Sequence, residues 1–512
     1  MMLSEASEPA VEVTSGNRVA RNVALLSGSL VATSLLTGLW TLFVPRRLGP
    51  AGMGLIVIAW SATNIFQALG SLGLRNFMVR ELAADWRRTP ELVGSAIMLR
   101  LATVVPCFAV IAIYLRLGHV GAELALVLLL ATGVALFTLL CDPLLSALWA
   151  IERLEYQAYA DVINKALLSV CGIALVLLGF GATALVALMC LAAAVVLGLS
   201  FYWSRRYFTI DWQIHPSRLR QLVADSLPYW SYALFSTFYL WIDSAILAVL
   251  TNTAIVGWYG GPSKLFGFMM FIPVIVLTAW LPRLVAAFTE SPERLRAAAR
   301  VPTEQIMIFS LPVGVGALLV ADPLIRYLYG PAFAGSVPVF AILALAVPAT
   351  YFNIVAYQIL VAAKRQLTWT KAIVIASVAN PALNLVLIRV FQARFQNGAI
   401  GAALSFTLTE WALMVVGLLV VRQFLQSQTL SRLARSALAT LGMAAGVVAA
   451  HPLGLIAQIV VGALSFALLA LLFRVVAPDK VSESLRRLRS RWPLIKAGRW
   501  RAGRRQPVAG DR

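Results

Sequence analysis

The chain of 512 residues is 60% hydrophobic and only 12% charged, with a mean hydropathy of +0.84. Soluble domains hold about 25% charged residues, so this composition places the chain in a bilayer and excludes a soluble enzyme. The formal charge of +20 is carried by basic residues strung between apolar segments, which fits topology signals and not a nucleic-acid stripe.

Taken in order, the N-terminal stretch MMLSEASEPAVEVTSGN is polar and acidic, so no secretory signal is expected. Apolar segments then recur at 23–44, 52–74, 92–115, 121–148, 161–180, 182–203, 226–250, 254–281, 303–321, 333–362, 366–389, 398–421, 433–450 and 454–475. Each is long enough for a hydrocarbon core of about 30 Å and too long for a barrel strand of about ten residues. Lipid offers no partner to backbone amides, so the expected fold class is an all-α integral membrane protein of about fourteen transmembrane helices. Thirty-three of the 42 Lys and Arg residues fall in alternate breaks or the two tails, six in the opposite breaks and three within spans. The positive-inside rule then puts both termini in the cytoplasm. The basic tail from Arg474 is read as a topology anchor that also contacts anionic membrane lipids.

Two turns have similar patterns six spans apart: RRLGPAGMGLIVIAW after the first span and LTNTAIVGWYGGPSK after the seventh. An even number of intervening spans gives both halves the same orientation, hence a parallel repeat with the last two spans outside it. The expected organisation is a cytoplasmic N-terminal tail (1–22), an N-lobe (23–203), a cytoplasmic linker (204–225), a C-lobe (226–421), two further spans (433–475) and a basic cytoplasmic tail (476–512).

No hydrolase, kinase or dinucleotide motif is present, and GFGAT lies between two spans, without the context of a phosphate loop. His119, His215 and His451 are scattered, and the four cysteines lie in apolar spans, so neither a metal site nor a disulfide is expected. The information lies in polar residues at membrane depth, where an ionisable group costs about 3 kcal/mol on insertion scales and marks a functional site by default. Asp243 and Lys264 lie nine residues before and twelve after the turn at Asn252, so at ~1.5 Å per residue they sit ~13 and ~18 Å deep. They either meet as a salt bridge or line a common polar floor. Arg100, Asn380, Asn384 and Glu410 join them as candidates. Arg80 lies near enough to a surface to snorkel, Asp161–Lys165 reads as a helical i,i+4 pair, and Gly442 and Gly446 as a helix-packing face.

Dispersed motifs carry a family resemblance: RRLGPAGMGL, GLRNFMVRELA, WIDSAIL followed by VGWYGGPSKLF and LPRL, then YGPAF, AAKRQ, ANPALNLVLI and NGAIGAALSFTLTE. In order and spacing the chain resembles an oligosaccharide flippase of the O-antigen/polysaccharide exporter type, within the multidrug/oligosaccharidyl-lipid/polysaccharide exporter superfamily. The resemblance covers about residues 20–475. It implies two six-helix lobes around a central cavity and alternating access in the bacterial inner membrane. It also implies a substrate of oligosaccharide repeat units on undecaprenyl diphosphate, for surface polysaccharide synthesis. Asp243 and Lys264 match polar positions in the first two helices of the second lobe, Arg80 matches a basic position after span two, and Glu410 is a looser match. Basic residues would hold diphosphate, and carboxylates would cycle a coupling ion, H+ or Na+; no other cofactor is implied. Polysaccharide polymerase and chain-length proteins are the implied partners. A lipid II flippase and a drug/cation antiporter of the same superfamily are the alternatives, and a membrane glycosyl polymerase is a weaker one because no large external loop is present.

Overall fold

The computed structural model describes residues 16–117, 121–213, 216–424 and 428–475, all of it helices and their connections. His119, His215, most of the N-terminal tail and the basic tail 476–512 lie outside the described residues. Twelve helical segments among those described are long and apolar enough to cross a membrane, against fourteen expected. The first two expected spans form one long helix, α1 (Gly16–Ser71), broken at Gly49, which takes φ 70°, ψ 180° before Pro50. Glycine tolerates that left-handed φ and proline cannot continue the preceding hydrogen-bond ladder, so the pair turns the chain into a second arm without a loop. The expected thirteenth span lies on α16 (Gln428–Ala449), which is not among the twelve; its first turns carry Ser431, Arg432 and Arg435.

After α1 come α2 (Leu74–Ala84), α3 (Thr89–Leu117), α4 (Ala122–Ala150), α5 (Glu155–Ala166), α6 (Gly172–Leu177) and α7 (Ala182–Ser204). A π-helical turn, Leu167–Cys171, joins α5 to α6; such turns break the regular ladder and recur at functional sites. The second half has α8 (Pro216–Leu250), α9 (Thr253–Met269), α10 (Phe271–Glu290), α11 (Pro292–Leu319), α12 (Ala321–Tyr329), α13 (Ser336–Ala362), α14 (Gln366–Phe395) and α15 (Gly398–Val421). α13 is the most enclosed, with Phe340, Val347, Tyr351 and Ala356 fully buried against neighbouring helices. α16 and α17 (Leu455–Leu472) follow and pack on α11.

The halves meet where their similar turns meet. A Cβ on Gly54 would lie 1.7 Å from the Thr253 carbonyl oxygen, and one on Gly257 would lie 1.9 Å from that of Pro50. A single offset of 203 residues maps Pro50 onto Thr253 and Gly54 onto Gly257, so each contact is the other with the two halves exchanged. The second arm of α1 and the start of α9 therefore cross reciprocally, backbone on backbone, as two related elements do about a pseudo-twofold axis. At the other end Gly73 (φ +67°) abuts Ser226 and Trp230, and the Trp230 indole donates to the Ala68 carbonyl at 2.8 Å. Helix α8 thus closes on the α1–α2 turn, and the space between the halves is pinched at both ends.

α16 is held by charge as well as by packing. Glu304 of α11 is buried and pairs with Arg300 (2.9 Å) and with Arg432 of α16. Ser436 donates to the Ile308 carbonyl at 2.9 Å. Gly442 and Gly446 face Leu469 and Ser465 of α17 at distances that leave no room for a larger residue without displacement, so this stripe is a packing face.

Candidate functional site

Between the two pinched ends lies a cavity of about 280 Å³. α1 supplies Trp40, Trp60 and Asn64, α5 and the π turn supply Lys165 and Ser169, and the second half supplies Trp241 of α8 and Lys264 of α9. No lining residue is acidic. The Lys264 ammonium stands 3.7 Å over the Trp60 ring and 5.8 Å from that of Trp241, a cation–π contact that orients a flexible side chain without neutralising it. Trp40 packs against Trp60 with ring centroids 5.2 Å apart. Lys165 remains within electrostatic reach of Asp161 but makes no close ion pair with it; Asp161 accepts from Gln157 at 3.0 Å, and Lys165 lines the cavity.

Asp243 and Lys264 do not meet. Asp243 is 1% exposed and accepts from Tyr259 Oη at 2.9 Å and from Asn384 Nδ2 at 2.6 Å. Asn384 also donates to Asn380 Oδ1 at 2.9 Å. One helical turn before Asp243, Tyr239 donates to Glu410 Oε1 at 2.8 Å, and Asn353 donates to Glu410 Oε2 at 3.0 Å. Four expected site residues thus fall in two adjoining buried clusters inside the second half, Asp243 with Asn380 and Asn384, and Glu410 with Tyr239 and Asn353, which α8 sets side by side as one polar network. The carbonyl oxygens of Asn353 and Asn384 have no partner in it, an unusual state for buried polar atoms.

The same two helices carry both features. On α8, Trp241 and Asp243 are two residues apart, about 200° around the helix, so one faces the cavity and the other the network. On α9, Lys264 and Tyr259 divide in the same way. Asp243 and Tyr259 thus share their helices with Trp241 and Lys264.

Arg100 stands apart from both. It is 1% exposed and bonds Asp142 at 2.5 Å, and Arg75 lies 3.5 Å from the same carboxylate. Arg80 lies in none of these places; its side chain is exposed and paired with Glu81 at 3.0 Å. It sits on α2, whose buried face is Leu74, Phe77, Met78 and Leu82, so position 80 points outward by helical geometry. No group of three or more His, Cys, Asp or Glu is gathered among the described residues. The sequence reading missed the tryptophans, Tyr239, Tyr259 and the cavity role of Lys165. One signal for Trp60 was available: tryptophan favours the membrane interface, and this one lies about ten residues inside an apolar span.

Residues 43–338 match the family described as Polysaccharide biosynthesis protein, over more than half of the chain. The chain belongs to that family. A probable low-salt glycan biosynthesis flippase, Agl15 of Haloferax volcanii, is 23% identical over 378 residues, covering 72% of this chain and 76% of the relative. Among solved structures, the lipid II flippase MurJ in an inward closed conformation superposes with a TM-score of 0.71 at 12% identity, covering 89% of this chain and 98% of that one. An inward-facing multidrug resistance MATE family transporter of the MOP superfamily gives 0.58 at 16% identity, covering 78% and 97%. The fold of this polysaccharide biosynthesis protein is therefore that of the exporter superfamily, as the motifs led one to expect, and by name these relatives are transporters, not enzymes.

Proposed function

We propose that the protein flips a lipid-linked oligosaccharide, carried on undecaprenyl diphosphate, across the bacterial inner membrane by alternating access. The observation that carries this reading is the cavity with two lysines, three tryptophans and no carboxylate. Ammonium groups attract diphosphate through charge-assisted hydrogen bonds, and indole faces suit the apolar faces of sugar rings. A cation antiporter would need a negative charge in the same place, so the lining speaks against that alternative. The reading includes cytoplasmic termini, from the positive-inside count, and a polymerase and chain-length proteins acting on the product. It also includes a coupling cation, H+ or Na+, taken up by the Asp243 and Glu410 network, where carboxylate and unpaired amide oxygens offer hard ligands.

Deletion of the gene should remove the surface polysaccharide and accumulate the lipid-linked unit on the inner leaflet. Restoration by plasmid should fail with Lys264→Met at normal protein abundance. Normal surface polymer in the deletion strain would sink the proposal, and arrest of cell-wall synthesis would favour lipid II as the cargo.

A further inference from the structure

A second cavity, of about 310 Å³, lies next to the first toward the α1–α2 turn. Asn64 of α1 lines the central cavity and Gln67 lines this one, three residues or ~5 Å further along the same helix. On α8, Ala233 lines it and Trp241 the central one, so the two are stacked along the interface between the halves. Its charged lining is Arg75, Arg100 and Asp142.

Two guanidiniums and one carboxylate form the charged wall of the cavity, and the next carboxylate, Asp161, lies outside the lining and reaches Arg75 only through Gln157, so the excess positive charge is that of the cavity wall. Arg100 is almost wholly buried, and its Nε–H has no partner. Arg75 donates to Gln157 at 3.1 Å and lies 4.7 Å over the Trp149 ring, which holds its planar head at the cavity side. A buried guanidinium with an unpaired N–H is costly, and an anion in the cavity would relieve it. We propose that this cavity is a second anion site, an antechamber in which Arg75 and Arg100 bind the diphosphate of the substrate before it reaches Lys165 and Lys264. The anion-binding chemistry stands on the Arg75–Arg100–Asp142 cluster itself; naming the anion as the substrate's diphosphate rests on the function proposed above.

The test is pyrophosphate binding to the purified full chain in phosphatidylcholine nanodiscs at low salt. The wild type should bind two equivalents, and Lys165→Met/Lys264→Met should bind one. Adding Arg75→Gln to that background should weaken the remaining site about tenfold or more. Asp142→Asn in the same background should tighten it several-fold, because a competing negative charge is removed. A purely structural ion pair gives the opposite result: Asp142→Asn lowers the melting temperature with no gain in affinity, which would overturn the proposal. Should Asp142→Asn not fold, unchanged binding in Arg75→Gln overturns it equally. Loss of all binding in the double-lysine variant would leave the central cavity as the functional site and defeat the antechamber. Binding that ignores both lysines yet needs Arg75 would support the antechamber and defeat the central site. Repeating the titration in phosphatidylglycerol nanodiscs separates the ligand sources: equal affinity supports diphosphate, and loss of affinity assigns the cavity to lipid headgroups instead.

Discussion

At the scale of the residue, two charges that the chain places at similar depth have different chemistry. Asp243 is satisfied within the second half by Tyr259 and Asn384, whereas Lys264 stands over the Trp60 and Trp241 rings in a cavity it shares with Lys165. Lys264→Met is expected to lower flipping at least tenfold without lowering abundance, and Lys264→Arg to keep part of the rate, measured by restoration of surface polymer. Asp243→Asn replaces an acceptor with an amide group facing two donors, so it should lower the melting temperature as well as transport. Because the two side chains share no partner, the stability effects of Asp243→Asn and Lys264→Met should add within about 0.5 kcal/mol in the double variant. A recovery of stability in the double variant would reinstate a direct salt bridge.

At the scale of the element, the crossing of α1 and α9 depends on two glycines. The Gly257 backbone is so near Pro50 that any side chain forces the helices apart. Gly257→Val is therefore expected to abolish transport while raising the rate at which a membrane-impermeant maleimide labels Lys264→Cys from outside the cell. Unchanged labelling would mean that this crossing does not close the cavity. A separate element-level contact ties α16 to α11 through Glu304. Glu304→Ala leaves Arg300 and Arg432 facing each other, and because both are partly solvated the expected cost is about 1–3 kcal/mol, below that of a fully buried pair. Thermal unfolding monitored by tryptophan fluorescence would measure it.

At the scale of the whole molecule, α8 and α9 link a polar network in one half to a cationic cavity between the halves. Ligand uptake at the network can shift the equilibrium of access only as far as its affinity differs between the two conformations. Asp243→Asn and Glu410→Gln should accordingly flatten any dependence of flipping on the pH or Na+ gradient, read in proteoliposomes, while pyrophosphate still binds the cavity. The amino-acid sequence alone determined the bilayer environment, nearly all the helical segments, the deep charges and the matching turns of the two halves. Those features follow from hydropathy, length and spacing, which act locally along the chain. The tertiary structure decided which polar residues meet. In spans apolar on almost every side, no periodic stripe tells which face of a helix looks inward, so Asp243 and Lys264 could not be separated by pattern. Nor could Lys165, whose partner four residues away was closer in sequence than the cavity it faces. The outward turn of Arg80 was likewise settled by packing, because helix rotation is fixed by neighbouring helices and not by the segment's own residues.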